Sequence, residues 1–222
     1  MSKHAQHLSE RPAMPLPQAL IAFVFAAGLL TITPGLDTAI VLRASALEGR
    51  KAGVAAAAGI MLGLMVWGAA AAVGLTALLA ASNLAYTVLK WIGAAYLTVL
   101  GLSMLIRPKA EVAPLETAGA GIRGAGRWLR RGLFTNLLNP KVGVFYVAFL
   151  PQFTPAGVPA GPFIAALVAI HIAEGALWFA ALIAATQPLG RLLRGPEMAR
   201  RMNRLTGAVF IGFGAKLALS RG

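Results

Sequence analysis

The sequence predicts an all-α integral membrane protein with six transmembrane helices, arranged as two inverted three-helix repeats in which helices 1 and 4 are broken at proline. Composition is the first reason, because the 222 residues are 58% hydrophobic and only 12% charged, whereas about a quarter of a soluble domain is charged. In addition, six apolar stretches approach the ~20 residues that cross a bilayer. Pro34 and Pro140 each fall inside one of these stretches.

The apolar stretches follow one another along the chain. They cover roughly residues 17–42, 52–79, 84–106, 132–150, 162–186 and 204–219. The last is the shortest, and the sequence leaves open whether it crosses the membrane completely. Residues 1–16 are polar and expected to be disordered, and no convincing small-residue cleavage site follows the first stretch. We therefore interpret that stretch as a retained helix rather than a signal peptide, with 17–222 forming one transmembrane domain.

Lysine and arginine predict the orientation of the chain. Fourteen of the 20 lie in segments 43–51, 107–131 and 187–204, after the odd-numbered spans, while four lie on the opposite side. Positively charged loops stay in the cytoplasm, so both termini are expected on the outer side. The net charge of +13 then reflects topology and contact of the basic loops with anionic lipids, not nucleic acid. The chain has no Cys, which excludes disulfides and thiolate metal sites.

The longest connection, 107–131, separates two halves of three spans each, 17–106 and 132–219. Because three is an odd number, the second half enters the membrane in the opposite direction to the first. Short similarities between the halves support a duplication. Segment 30–34 resembles 133–140 in kind, and segment 93–97 resembles 207–211.

The two proline breaks are the most informative local feature. Proline has no N–H and clashes with the carbonyl four residues back, so Pro34 frees the carbonyl of Leu30, and Pro140 frees that of Asn136. In lipid each freed carbonyl must find another partner. Thr or Asn precedes each proline and is a favoured N-cap, so a new helix is expected to start about 13 Å from the basic interface. Two such restarts in corresponding positions indicate a transporter binding site near the bilayer midplane.

Charged residues inside the spans are candidates for function, because each costs about 2.5–3.5 kcal/mol on insertion scales. Asp37 lies one turn after the first break, although stabilisation by the helix dipole would also explain it. Lys141 follows the second break, where the dipole opposes it and its stem is too short to reach the interface easily. Glu174 and His171 share a helix face in span five, and an interhelical hydrogen-bonded pair is the alternative explanation for them.

Neutral residues complete the candidate site. Asn136 and Asn139 share a helix face before the second break, and they serve either the freed carbonyls or the substrate. The sequence does not separate these two roles. The predicted substrate-binding residues are Pro34, Gly35, Asp37, Asn136, Asn139, Pro140 and Lys141. No catalytic residue, metal site or cofactor is expected.

Two other features are interpreted structurally. Gly59 and Gly63, with Ala55, form a pattern of small residues four apart, which is typical of close helix packing. Trp128 stands among four arginines, and we interpret that stretch as amphipathic and lying on the cytoplasmic lipid surface.

Three groups of motifs carry a resemblance over nearly the whole chain. They are Thr33-Pro34-Gly35-Leu36-Asp37 with Gly49-Arg50-Lys51-Ala52-Gly53 and the Gly59/Gly63 helix; Asn139-Pro140-Lys141 with Phe149-Leu150-Pro151-Gln152-Phe153; and Asn203-Arg204-Leu205-Thr206-Gly207. In order and spacing they resemble the LysE/RhtB family of amino-acid exporters, except that Leu36 stands where family members often carry a second proline. The resemblance implies proton-gradient-driven export of an amino acid or related small zwitterionic metabolite across the bacterial inner membrane. In that membrane the outer side, on which the basic segments place both termini, is the periplasm.

The residues and the resemblance together predict a carrier that works by alternating access. The substrate carboxylate is expected against the half-helix N-termini and Lys141, and its ammonium against Asp37 or Glu174. Protonation of one carboxylate would couple proton entry to substrate exit, with Asp37, His171 and Glu174 as the proton-coupling residues. The expected partners are the amino acid, protons and anionic lipids, and a homodimer is an open alternative for its assembly.

Two other functions stay open at this point. A pore-type channel is one, because mid-membrane half-helices with Asn-Pro also resemble water-channel architecture. A carrier saturates and countertransports, whereas a channel does neither. A metal-ion exporter of the wider superfamily is the other, although His171 and Glu174 make a sparse ligand set. An enzyme is not expected, since the chain has no Gly-x-Ser-x-Gly, no His-Glu-x-x-His and no Cys nucleophile.

Overall fold

The computed structural model describes residues 15–81, 83–106, 124–155, 157–185 and 196–219, and these ranges are almost entirely helical with no strand among them. The helices are α1 (Leu16–Ile32), α2 (Leu36–Glu48), α3 (Arg50–Ala81), α4 (Asn83–Ile106), α5 (Ala125–Leu137), α6 (Pro140–Val144), α7 (Ala160–Ala184) and α8 (Pro196–Leu219). After α6 the chain continues as a π-helical turn, Phe145–Phe149, and a 3₁₀ turn, Leu150–Phe153.

Length and composition identify the helices that can cross a membrane. α7 and the Arg50–Gly74 part of α3 qualify alone, each with a mean hydropathy of 1.9 over its most apolar window. Two bent pairs qualify as broken spans: α1 with α2, bent by 50°, and α5 with the helix that starts at Pro140, bent by 52°. The predicted breaks at the two prolines are therefore confirmed. The count of six spans and the inverted repeat stay predictions.

Apolar side chains also cover the outside of these helices. Ile21, Phe25, Val73 and Leu177 are all more than 60% exposed. A soluble protein would bury such residues, whereas lipid tails accommodate them. The chain is accordingly a multi-pass membrane protein.

Glycine contacts set the closest helix packing. A Cβ atom at Gly59 of α3 would collide with the carbonyl oxygen of Leu129 on α5, and one at Gly132 of α5 would collide with that of Ala56. α4 and α8 meet in the same way, because Gly101 and Gly207 each face the other's carbonyl oxygen. Small residues let helix backbones approach closely in membranes.

Two buried apolar clusters fill the space between the helices. The first contains a run of aromatic rings, Phe23, Phe145, Phe149 and Phe153, with centroids 4.8–6.0 Å apart. The second joins α2, α3, α5 and α7, and Trp128 lies fully buried within it.

The position of Trp128 corrects its interpretation as part of a surface stretch. Its ring is buried, with the guanidinium groups of Arg127 and Arg131 at 5.6 and 5.2 Å from its centroid. The arginines cover the ring by cation–π contact. α5 thus packs Trp128 against the other helices, and this ring does not lie on a lipid surface.

Helix boundaries differ from the apolar stretches at their basic ends. Residues 125–131, which lie in the predicted connection 107–131, belong to α5, and α8 starts at Pro196 rather than near residue 204. Hydropathy finds only the part of a helix that lies in hydrocarbon, while these first turns are polar. The predicted disordered segment 1–16 lies outside the described residues except for its last two, and most of the 107–131 connection is outside them as well.

Candidate functional site

The first break lies between α1 and α2. α1 ends at Ile32, and Thr33 is its C-cap in an extended conformation. Pro34 follows, and Gly35 precedes the first residue of α2. The hydroxyl of Thr33 is within hydrogen-bond reach of the hydroxyl of Thr206 on α8, and both residues are 1% exposed. This contact fixes the break against α8.

At the second break, the free backbone groups find partners both in the break itself and on α3. Asn139 is the N-cap of α6, and its side-chain oxygen accepts the N–H of Lys141 at 3.1 Å, with Pro140 between them. The carbonyl freed by the proline, that of Asn136, accepts the N–H of Asn139 at 3.0 Å and the indole N–H of Trp67 at 3.4 Å. The predicted need for a new partner is therefore met by a side chain of another helix.

Lys141 connects the two breaks. Its ammonium donates to the carbonyl oxygen of Leu30 and to that of Thr33, both at 3.2 Å. Leu30 is the residue whose carbonyl Pro34 frees. An anion is predicted beside Lys141, and Asp37 lines the same inner cavity. The ammonium of Lys141 also has two carbonyl oxygens at the C-terminal end of α1 among its partners, where the helix dipole is negative.

Asp37 and Asn136 form a second link between the broken spans. The amide of Asn136 donates to Oδ2 of Asp37 at 2.8 Å. Asn136 is fully buried, and a Cβ atom at Gly63 of α3 would collide with its side-chain oxygen. Gly63 thus leaves the room that Asn136 occupies. Oδ1 of Asp37 is buried without a hydrogen-bond partner in the described part of the chain.

Two cavities meet at Lys141. The inner cavity, of about 30 Å³, has Asp37, Asn139, Lys141 and His171 among its lining residues. It has room for a water or a small ion. The second, which we call the α4–α8 cavity, has a volume of about 320 Å³, within the range of small-molecule sites. Its lining residues are Pro34, Gly35, Leu36, Leu100, Ser103, Met104, Asn139, Pro140, Lys141 and Asn203.

The two cavities share a thin wall. Gly35, Asn139 and Lys141 line both of them. A molecule in the α4–α8 cavity is therefore separated from Asp37 by these three residues, all of which belong to the two breaks.

Comparison with known proteins identifies the family. A model of the LysE type translocator family matches residues 29–221. The chain belongs to this family. It is 32% identical over 200 residues to the homoserine/homoserine lactone efflux protein of Salmonella typhimurium, covering 90% of this chain and 96% of the relative. It is 30% identical over 196 residues to the threonine efflux protein of Escherichia coli, covering 86% and 92%.

A third relative is similar over the same range. The leucine efflux protein of Klebsiella pneumoniae is 28% identical over 200 residues, covering 89% of this chain and 93% of the relative. No solved structure matches the translocator significantly. The chain is thus a translocator and not an enzyme.

The translocator brings most of the predicted site residues together. Pro34, Gly35, Asn139, Pro140 and Lys141 line the α4–α8 cavity, and Asp37 and His171 line the inner cavity. Asn136 lies behind Asp37 as its hydrogen-bond donor.

Glu174 and His171 have different surroundings, although they lie one turn apart on α7. His171 is buried, and its Nδ1 lies 3.0 Å from the hydroxyl of Tyr146, with the two rings stacked at 28°. Glu174 is absent from the lining of both cavities, and its Oε2 is buried without a hydrogen-bond partner among the described residues. The contact of His171 with Tyr146 matches the interhelical hydrogen-bonded pair that was the alternative explanation for His171. Among the residues described, no group of three His, Asp or Glu side chains could hold a metal ion.

Four further residues contribute to the site. Trp67 caps the second break, Thr206 contacts the first, Gly63 makes room for Asn136, and Asn203 lines the α4–α8 cavity. Asn203 and Thr206 belong to the third motif of the family resemblance, which carried no assigned role. Gly63 is predicted to allow close helix packing, and the side chain that it makes room for is that of Asn136.

Proposed function

We propose that this translocator exports a small neutral amino acid, or a related zwitterionic metabolite, by alternating access, driven by the proton gradient across the bacterial inner membrane. The observation that carries the proposal is that Asp37 and Lys141, which have opposite charges, line the same inner cavity where the two broken spans meet. A zwitterion supplies the complementary pair of charges, and charges in a membrane interior are tolerated when they are paired.

The α4–α8 cavity is the proposed entry chamber for the substrate. Gly35 and Leu36, at the start of the 13-residue helix α2, line it together with Lys141. A helix N-terminus attracts anions, so the substrate carboxylate binds there. Its ammonium reaches Asp37, whose Oδ1 has no hydrogen-bond partner in the described ranges, once the shared wall moves.

The lining of the chamber favours a neutral substrate side chain. Among the described residues that line the α4–α8 cavity, Lys141 is the one that carries a charge. A second ammonium on a basic amino acid would therefore find no carboxylate there, at a cost of several kcal/mol. The relatives named above are efflux proteins for homoserine, threonine and leucine, and all three of these have uncharged side chains.

Proton coupling follows from competition for one carboxylate. Asp37 is neutralised either by the ammonium of the substrate or by a proton, and only a neutralised site changes its orientation. Proton binding on the outer side thus drives the substrate off and resets the carrier. His171 and Glu174 are the proposed relay groups on α7, since His171 lines the inner cavity and Glu174 lies one turn away.

Counterflow in proteoliposomes tests this proposal. Vesicles preloaded with unlabelled threonine, leucine, homoserine or lysine are assayed for uptake of labelled threonine, with and without an imposed pH gradient. We expect saturable uptake of labelled threonine into vesicles that contain a neutral amino acid, and no uptake by exchange into vesicles that contain lysine. The Asp37→Asn variant is assayed in the same way. Its control is Glu197→Gln, because Glu197 is an exposed carboxylate of α8 that pairs with Arg200. Flux that neither saturates nor countertransports would instead support a channel, and preferred exchange with lysine would contradict the neutral substrate class.

A further inference from the structure

The ammonium of Lys141 lies where a free cation would bind. Its two carbonyl partners, Leu30 and Thr33, end one half of a broken transmembrane helix, and each is 3.2 Å from Nζ. Unwound carbonyls and half-helix C-termini are the groups that coordinate coupling cations in transporters with broken helices. Both residues are at most 3% exposed, so the carbonyl oxygens are largely withdrawn from solvent.

The surroundings of this position suit a positive charge as well. The C-terminal end of α1 carries the negative end of the helix dipole. Asp37 is close enough to Lys141 for an electrostatic interaction, and it lines the same inner cavity. Two carbonyl oxygens at a helix C-terminus thus contact the ammonium, and a carboxylate lines the same cavity.

The geometry points to a monovalent-cation site, formed by the carbonyl oxygens of Leu30 and Thr33, that the side chain of Lys141 fills permanently. The positive charge belongs to a side chain of the second broken span, so the protein needs no Na⁺ or K⁺ at this position. Removing the side chain opens the site to a free monovalent cation. A simple C-cap, by contrast, would leave no site for a free ion when it is removed.

Space for such an ion exists next to Lys141. The inner cavity borders the lysine and has room for a water-sized particle. Truncating lysine to alanine adds the volume of the four-carbon stem to that cavity. Methylammonium reproduces the lost head group, so it is the most direct probe, with Na⁺ and K⁺ as alternatives.

Thermal unfolding of the full chain in detergent tests the inference. Wild type, Lys141→Ala and Lys141→Met are melted in choline chloride, whose cation is too large for the site, and in methylammonium, sodium or potassium chloride at the same ionic strength. Lys141→Ala should melt about 2–4 °C below wild type in choline, and methylammonium should restore most of that loss with saturation. Lys141→Met should stay low in every salt, because its side chain fills the space.

The wild type and a surface lysine provide the controls. Lys51 lies at the exposed start of α3. The melting temperature of wild type should not change among the four salts, and neither should that of Lys51→Ala. The inference would be overturned if Lys141→Ala melted at the same temperature in all four salts. It would also be overturned if methylammonium raised the melting temperature of Lys141→Met as much as that of Lys141→Ala.

A second measurement applies if Lys141→Ala does not fold. Wild-type transport is compared in proteoliposomes containing choline, sodium or potassium on both sides. Equal rates support a site that is already filled, and a rate that requires Na⁺ or K⁺ overturns it. Only this second measurement rests on the proposed function, since melting involves no transported substrate. Failure of the export proposal would therefore leave the melting result interpretable.

Discussion

The side-chain amide of Asn136 donates a hydrogen bond of 2.8 Å to the carboxylate of Asp37, which lies 99 positions earlier in the chain. The two residues belong to different broken spans, and each lies within one turn of its own proline. This bond and the two from Lys141 to residues of the first break all run from donors of the second broken span to acceptors of the first, and together they tie the two breaks to each other. A substitution at one break should therefore change the stability or accessibility of the other break.

Asn136→Ala should destabilise the protein, because it leaves the Asp37 carboxylate buried without its donor. The loss should be about 1–3 kcal/mol, or a melting temperature lower by roughly 2–4 °C per kcal/mol. A double-mutant cycle with Asp37→Asn, measured by melting in detergent, should give a coupling energy of about 0.5–3 kcal/mol. Additive effects would show that the hydrogen bond contributes nothing.

Gly63→Ala should reduce both stability and transport, because the new Cβ collides with the side chain of Asn136 and pushes it away from Asp37. Gly74→Ala is the matched control, since it lies on the same helix and its Cβ would meet nothing within 4 Å. We expect Gly74→Ala to match or slightly exceed the wild type in melting temperature, as alanine favours helices by up to about 1 kcal/mol. Equal behaviour of the two variants would contradict the role of Gly63.

Thr206→Val should loosen the first break from α8, because valine keeps the shape of threonine but cannot replace its hydroxyl contact with Thr33. A loss of about 1 kcal/mol is expected for a hydrogen bond between neutral groups. Thr206→Ser retains the hydroxyl and should recover most of that stability. Cysteine accessibility at Ser103 in the α4–α8 cavity, compared between the two variants, measures the loosening directly.

Only a few parts of this arrangement follow from local sequence. The breaks do, because the effect of proline on the carbonyl four residues back is a property of the chain itself. The partners of the freed carbonyls do not, since Trp67 and Asn136 lie 69 positions apart and Leu30 and Lys141 lie 111 apart. The burial of Trp128 does not follow from local sequence either, because a tryptophan among arginines is equally compatible with a lipid surface and with a buried ring under guanidinium groups.

Proton coupling gives a prediction that separates two carboxylates. Asp37→Asn should lose accumulation driven by a pH gradient by at least about tenfold while retaining some exchange, because an amide cannot alternate between proton and ammonium. Glu174→Gln should lose less, since Glu174 lies outside the lining of both cavities. The two are compared in energised vesicles with and without an uncoupler. Full gradient-driven transport in both variants would remove these carboxylates from the coupling mechanism.

The predicted topology is testable because the chain has no Cys. Single cysteines at Ala5 and Pro159 should react with a membrane-impermeant maleimide added to intact cells. A cysteine at Gly119 should react only after the cells are opened. Labelling of position 119 from outside would contradict the orientation inferred from the basic segments.

Contact between the backbones of α4 and α8 at Gly101 and Gly207 limits how this protein can move. Helices that touch without intervening side chains cannot slip along each other, because a shift of one residue would bring a Cβ atom onto the opposite carbonyl. α4 and α8 therefore act as one rigid body, and α3 and α5, joined at Gly59 and Gly132, act as another. The α4–α8 cavity is lined by residues of α4, α8 and the two proline breaks. Under the proposed alternating access, we expect the stiffness of the two helix pairs to direct the motion to the proline breaks.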